Sequence, residues 1–114
     1  YNIAVETVTI ASGASLSAEI NLLGKTLVGI VVPATWTPAN LTFQVAVAEE
    51  GIFIDMTDDA STEYLVVAGA SRHIPIDPDA FLSHNFLKVR SGTSSIAVAQ
   101  GAARTLTLLL GSIL

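Results

Sequence analysis

The feature that most constrains the fold is a period-two alternation of apolar and polar residues that recurs along the chain. In residues 41–47 every second residue is Leu, Phe or Val, and Thr, Gln and Ala stand between them. Successive side chains of a β-strand point to opposite faces, so this pattern predicts a strand with one buried face. The same pattern, less regular, covers residues 3–10, 16–20, 86–90 and 104–110.

Gly, Pro, Asn and Asp residues separate these segments at intervals of roughly 8 to 12 residues, the spacing of a sandwich rather than of alternating strands and helices. The run 26–32 is almost continuously apolar and too short for a helix, which predicts a central strand covered on both faces. Shorter strands are expected at 52–56, 63–67, 72–76 and 96–98. The predicted fold class is all-β: an antiparallel β-sandwich, jelly-roll-like, with about nine to ten strands.

One short helical element is expected between these strands. Asp77 followed by Pro78 is typical of a turn or a single helical turn, with Asp77 as the cap and Pro78 in the first position. Pro75 cannot donate to a strand ladder, so the segment before it should lie at a sheet edge or a strand end.

The chain length and charge limit the function classes. A chain of 114 residues has room for one core, so residues 1–114 are predicted to form a single β-sandwich domain. The net charge of −5 with only five Lys and Arg residues disfavours nucleic-acid binding, which needs clustered positive charge. No apolar run approaches the ~18 residues of a membrane span, so no membrane contact is expected. The absence of cysteine excludes thiolate metal sites and disulfides.

The balance of apolar to charged residues points to burial between subunits. Hydrophobic residues make up 51% of the chain and charged residues 13%, against about 25% charged in ordinary soluble domains. A homo-oligomer would bury the surplus apolar surface. The alternative is a well-filled core under a surface rich in Ala, Ser and Thr.

No catalytic apparatus is predicted, and the chain is not expected to be an enzyme or to hold a cofactor. The acidic stretch Asp55, Asp58, Asp59 and Glu63 is the one cluster that could bind a cation such as Ca²⁺, but it lacks EF-hand spacing, and the alternative is a loop whose Asp and Ser residues form turns. His73 and His84 lie outside any metal-binding repeat, and His73 is expected at a surface or interface.

Five residues are candidates for partner binding. Trp36 either stacks on a sugar or partner ring or covers the core, and the sequence leaves both open. Lys88 and Arg90 share one strand face and are candidates for pairing with acidic groups across a subunit contact, the alternative being a solvated face. Tyr1 and Asn2 are candidates for an arm that pairs with a neighbouring strand.

The chain resembles a family of short bacteriophage and prophage virion structural proteins. The resemblance spans Gly29 to Leu110, and these segments carry it: 32–44 (VPATWTPANLTFQ), 62–64 (TEY), 86–93 (FLKVRSGT), 98–100 (VAQ) and 104–108 (RTLTL). The segment 86–93 is the most distinctive of them.

That resemblance implies a virion structural role and no catalytic residue. The expected function is a capsid decoration or cement protein, or a head-spike or fibre base, which binds the major capsid protein or other virion proteins. It would be made in the bacterial host cytoplasm and sit on the capsid exterior as a homo-oligomer, expected to be a trimer. The alternatives are a small tail or baseplate component and a carbohydrate- or receptor-binding β-sandwich module.

Overall fold

The computed structural model describes residues 2–112, which form eight strands and one short 3₁₀ helix. The strands are β1 (Asn2–Ile10), β2 (Ile20–Asn21), β3 (Thr26–Val31), β4 (Leu41–Ala46), β5 (Ile54–Asp55), β6 (His73–Pro75), β7 (Phe86–Ser91) and β8 (Arg104–Ser112). The 3₁₀ helix spans Pro78–Phe81. In this described part of the chain, no helix is long and apolar enough to cross a membrane.

The strands form two four-stranded sheets in which every pairing is antiparallel. The first sheet has the order β1-β8-β3-β6 and the second has the order β2-β7-β4-β5. Strands that are neighbours in a sheet are therefore mostly distant in sequence. The prediction of an all-β antiparallel fold is confirmed.

The prediction of nine to ten strands is wrong for the described residues, which contain eight. The expected strands at 63–67 and 96–98 make only isolated bridges, such as Leu41 with Val66 and Gly92 with Ala97. The expected strand at 16–20 contributes one bridge, between Leu16 and Arg90, before β2 begins. These segments pair with a sheet through one residue at a time, so they form no continuous ladder. Val66 reaches the core, whereas Leu65, Val67 and Ile96 are exposed.

The two sheets pack against each other around one hydrophobic core. Leu106, Leu108 and Leu110 of β8 are fully buried from the first sheet, and Phe43 and Val89 are fully buried from the second. The run 26–32 was expected to form a central strand, and β3 does lie between β8 and β6.

The 3₁₀ helix closes one part of this core. The Asp77 side chain accepts a hydrogen bond of 3.0 Å from the Asp79 amide, and Pro78 occupies the first turn, which confirms the predicted cap. Phe81 at the end of the helix is fully buried, and its ring lies edge-on to Phe43 at 5.2 Å and to Tyr64 at 5.5 Å between centroids.

Strand β1 is the edge of the first sheet and is only partly covered. It pairs with β8 over nine consecutive residues, from Asn2 opposite Ser112 to Ile10 opposite Arg104, without a register shift. Val8 and Ile10 point into the core, whereas the first six residues of the strand are exposed or half-exposed. The first half of β1 therefore extends beyond the region that the second sheet covers.

Candidate interaction surfaces

The outer face of the second sheet is organised around a buried arginine. Arg90 on β7 is only 7% exposed. Its Nε donates to the Thr42 hydroxyl at 2.9 Å, one terminal nitrogen donates to Asp55 at 2.9 Å, and the other donates to Glu63 at 2.7 Å. The guanidinium charge is thus paired with two carboxylates of its own chain.

Two turns are attached to this Arg90 cluster, which consists of Arg90, Thr42, Asp55 and Glu63. The Glu63 carboxylate accepts a hydrogen bond of 3.0 Å from the Ser94 amide, and the Thr42 hydroxyl donates to the Gly92 carbonyl at 2.7 Å. The segments 57–63 and 92–97 are therefore tied to the outer face of the second sheet. Arg90 acts inside the fold, and this face is closed by the chain itself.

The rest of the acidic stretch forms a turn. The Asp58 carboxylate accepts hydrogen bonds from the amides of Ala60 at 2.9 Å and Thr62 at 3.0 Å. Within residues 2–112, no group of three or more His, Asp or Glu side chains is arranged to hold a metal ion. Of the four acidic residues proposed as a cation site, two neutralise Arg90 and one shapes the turn.

Lys88, the other cation of β7, contacts an aromatic ring. Its Nζ lies 4.5 Å from the centroid of the Phe53 ring, a distance at which the ring quadrupole attracts a cation. Lys88 is half-buried and lies opposite Gln44 on the outer face of the second sheet. The predicted pair of Lys88 and Arg90 thus shares a face, but each has a different partner.

Trp36 belongs to the core. The residue is 7% exposed, and its indole N–H donates to the Ala39 carbonyl at 3.2 Å. Of the two alternatives that the sequence left open, the structure shows the one in which the ring covers the core. The adjacent Thr37 is held by Gln100, whose side-chain amide bonds both the amide and the carbonyl of Thr37 at 2.9 and 3.1 Å.

The two histidines lie in different surroundings. His73 is exposed on β6, opposite Val31. His84 is half-buried beside Phe81, with 6.0 Å between the ring centroids, and burial lowers the pKa of its imidazole. Burial, followed by the charge of Asp77, raises the pKa of the Tyr64 hydroxyl.

The outer face of the first sheet has no acidic, lysine or arginine side chain among the described residues. Val8 and Ile10 point inward, so the alternate positions of β1 and the residues opposite them point outward. Thr26, which lies opposite Gly111, is buried and donates to the Pro78 carbonyl, so it is not part of the open surface. Following the register through β8, β3 and β6 gives the remaining positions: Ile3, Val5, Thr7, Thr9, Thr105, Thr107, Leu109, Gly111, Gly29, Val31, His73 and Pro75. We call this set the neutral face.

The middle of the neutral face is closely packed over a glycine. A Cβ built on Gly29 would lie 3.1 Å from the Leu109 side chain and 3.5 Å from His73 Nε2. The side chains of Leu109 and His73 therefore converge over Gly29. At the edge of the same face Ile3 and Val5 are 52% and 63% exposed.

A second apolar feature is a groove of about 300 Å³ at one end of the molecule. The turn between β4 and β5 and the residues after the 3₁₀ helix form it, with exposed Val47, Ile52 and Ile54 on one side and His84 on the other. Val45, Ala46 and Ser83 complete its lining.

Asn2 is part of β1, where it lies opposite Ser112. Tyr1, the other residue of the predicted arm, lies outside the described residues. The neutral face itself was not predicted as a site, although its signal is present in the sequence. Thr7 and Thr9 in β1, and Thr105 and Thr107 in β8, alternate with inward-pointing residues and continue the positions of Ile3, Val5 and Leu109, so each strand has one face without charge.

Comparisons of the sequence with known proteins identify no relative. The chain matches no protein-family model and no curated protein. Among solved structures, the chain matches Drosophila NLP-core, whose crystal structure gave insight into pentamer formation and histone binding. The identity is 12%, the match covers 95% of this chain and 96% of that chain, and the TM-score is 0.45.

The expected virion role is corrected by this comparison. The solved structure that matches is that of a pentamer-forming, histone-binding protein and not of a phage structural protein. The prediction of a capsid decoration protein, in its head and tail forms, is not borne out by any of the comparisons. The carbohydrate- or receptor-binding alternative loses its aromatic platform, because Trp36 is buried.

Proposed function

We propose that this chain is a non-catalytic subunit that associates with copies of itself, with the neutral face as the surface that becomes buried. The observation that carries the proposal is the distribution of charge. The chain has a net charge of −5, yet twelve positions over four strands carry no acidic or basic side chain except His73. Two copies that meet at this face avoid the repulsion that their other surfaces would produce.

The chemistry of the neutral face suits contact with protein. Threonine hydroxyls are short and satisfy one another across strands, as Thr9 and Thr105 do at 3.1 Å. The apolar side chains of Ile3, Val5 and Leu109 supply surface whose removal from water is favourable. A face with these properties is only weakly hydrated, so its burial against a matching surface is favourable.

Its size sets the expected strength. At about 3.3 Å per residue and 4.8 Å between strands, the four strands span roughly 450 Å². Two such faces bury roughly 900 Å², slightly less than the ~1,000 Å² that a stable interface needs. Association through this face alone is therefore expected to be weak and to depend on protein concentration.

The jelly-roll arrangement is part of this proposal. Its support is the strand count of eight and the two four-stranded sheets, in which β1 and β8 are neighbours and β2 and β7 are neighbours. The trimer expected from the virion resemblance is not part of the proposal.

The experiment is sedimentation velocity on the unmodified chain at concentrations up to about 1 mM, the range in which weak interfaces associate. We expect a weight-average mass above that of one chain that rises with concentration. Thr107→Glu adds one charge at the centre of the neutral face and should lower that mass. Ser95→Glu adds the same charge to an exposed turn over the second sheet and should leave it unchanged.

A single-chain mass at every concentration would overturn the proposal. Equal masses for Thr107→Glu and Ser95→Glu would show that association does not involve the neutral face. Circular dichroism of both variants checks that they remain folded.

A further inference from the structure

The free edge of β1 has the properties of a strand that accepts another strand. Among the described residues β1 pairs only with β8, so every second backbone N–H and C=O along its other side has no strand partner. Proteins protect such edges with proline, lysine, bulges or short strands. β1 is nine residues long, has a continuous register, and contains neither proline nor lysine. Glu6 is its one charged residue.

We propose that β1 pairs antiparallel with β1 of a second copy, around a two-fold axis that passes through Val5. The inference rests on the proposed function, since it adds a second contact that joins the neutral faces of two copies into one larger surface for association. The pairing joins two four-stranded sheets into one eight-stranded sheet. It is a strand addition in which main-chain hydrogen bonds give affinity and side-chain pairs give the register.

The position of the axis follows from Glu6. An axis through Glu6 places two carboxylates directly opposite each other, which is destabilising. An axis through Val5 pairs Val5 with its own copy, places Ile3 opposite Thr7, and places Ala4 opposite Glu6. Residues 2–8 of each copy then face each other without a like-charge pair. An axis through Ala4 also avoids the clash, but it pairs only residues 2–6. An axis through Thr7 avoids it too and pairs residues 4–10, but it moves the contact away from the exposed first half of β1 towards the half that carries the buried Val8 and Ile10.

A second copy suits this edge for two reasons. The chain is acidic overall, and β1 brings only one carboxylate to the contact, so approach at this edge meets less repulsion than approach elsewhere. Pairing also joins two neutral faces side by side. Two such joined faces, stacked on each other, would bury roughly 1,800 Å², which is the size of a standard interface.

Disulfide trapping tests the register directly, because the chain has no cysteine of its own. In the Val5→Cys variant the two introduced thiols lie directly opposite, with Cβ atoms about 5 Å apart, close enough for a disulfide after a small adjustment. Thr9→Cys is the matched control: it is exposed on the same face of the same strand, but the two copies of residue 9 lie on the order of 25 Å apart. Under mild oxidation we expect at least tenfold more covalent dimer from Val5→Cys than from Thr9→Cys.

Charge variants at residue 4 give an independent measurement. Ala4 lies opposite Glu6 of the second copy in the proposed register, twice in each dimer. Ala4→Lys should therefore tighten dimerisation by about three- to tenfold, and Ala4→Glu should weaken it by a similar factor. Both are measured by sedimentation, with circular dichroism as the check on folding.

The outcomes separate this inference from the proposed function. Association of the unmodified chain with equal trapping of Val5→Cys and Thr9→Cys overturns the β1 contact and leaves the proposed function standing. A chain that never associates overturns both. Trapping of Val5→Cys on other proteins of the expression host, without a covalent homodimer, also overturns the inference, because it means that β1 accepts a foreign strand instead of its own copy.

Discussion

The outer faces of the two sheets differ in how they treat charge. On the second sheet Arg90 is buried beneath two carboxylates, and the turns 57–63 and 92–97 are bonded to the same cluster. On the first sheet the neutral face has no ion pair and no covering segment among the described residues. The chain therefore closes one outer face with its own groups and leaves the other open.

The difference between the two faces shows that neither the burial of a strand face nor its charge alone indicates whether that face is free to bind a partner. Surplus apolar residues can be buried in a core. A strand face that carries no charge and is not covered by another segment of the chain is suited to contact with a protein partner. Where this chain does bury a charge on an outer face, it supplies every partner itself. The two faces should therefore also differ in how much each contributes to the stability of the fold.

The largest effect is expected from Arg90→Met. Removing the guanidinium leaves Asp55 and Glu63 close together without their cation and frees the Thr42 hydroxyl, so the free energy of unfolding should fall by about 3 kcal/mol. Lys88→Met, on the same strand face, removes one cation–π contact and should cost less than about 1 kcal/mol. Urea denaturation of both variants measures the two losses of unfolding free energy. Equal losses would mean that the Arg90 cluster does not stabilise the second sheet more than the single contact of Lys88 does.

Gly92→Ala should destabilise the chain by about 2 to 3 kcal/mol, because it breaks the turn that covers Arg90. Gly92 has a φ of +91°, and an added Cβ would lie 2.5 Å from the Ile96 carbonyl oxygen and 2.6 Å from the Val98 nitrogen. Gly13→Ala is the control: its φ is +78°, but nothing lies within 4 Å of the added Cβ.

That control should lose only the conformational cost of about 1 kcal/mol. Thermal unfolding followed by circular dichroism compares the two glycine variants. Equal losses would show that the turn at Gly92 is not tightly packed.

A smaller effect on stability is expected on acidification, and it arises from His84, which lies outside both faces. The pKa of His84 is lowered by burial, so the unfolded chain binds the proton more readily than the folded one. The stabilisation is complete above the ordinary value of 6.5 and is lost as the pH falls through that value towards the lower folded pKa.

The midpoint temperature of thermal unfolding should therefore decrease as the pH is lowered from 7.5 to 5.5. His84→Gln, which has no titrating group at this position, should show a flatter dependence over the same range. The same slope in both proteins would assign the pH dependence to other groups.

The smallest effect on stability is expected on the neutral face. Thr7 is exposed, so Thr7→Glu should change the free energy of unfolding by less than about 0.5 kcal/mol when measured at a concentration where the chain is monomeric. A loss comparable to that of Arg90→Met would mean that the first sheet depends on this face for its fold, and the contrast between the sheets would disappear.

The long strands could be predicted because their alternation is local. β1, β4, β7 and β8 were all expected within a few residues of their observed bounds, and so was the cap at Asp77. The segments at 63–67 and 96–98 could not be distinguished from strands, since a short apolar segment has the same sequence pattern whether its backbone forms a continuous ladder or a single bridge.

The Arg90 cluster could not be predicted, because it depends on the topology. Asp55 and Glu63 lie 35 and 27 positions before Arg90 in the chain. The pairing of β4 with both β7 and β5 brings Asp55 to Arg90, and the bridge between Thr57 and Glu63 brings Glu63 to the same place. The acidic stretch therefore looked like a cation site, whereas its cation is a side chain of the same protein. Trp36 was ambiguous because a Trp beside a Pro in a loop is found equally on surfaces and over cores.

The pairing of β1 with β8 has a consequence for how the protein is made. β8 is an inner strand of the first sheet, between β1 and β3, and it comes from the last described residues of the chain. During synthesis on the ribosome, β1 therefore remains unpaired until those residues emerge. Both of its edges are then exposed to other nascent chains. Such long-range closure is slow, on the order of milliseconds to seconds. The interval before β8 arrives is the period in which premature strand exchange between copies would be most damaging.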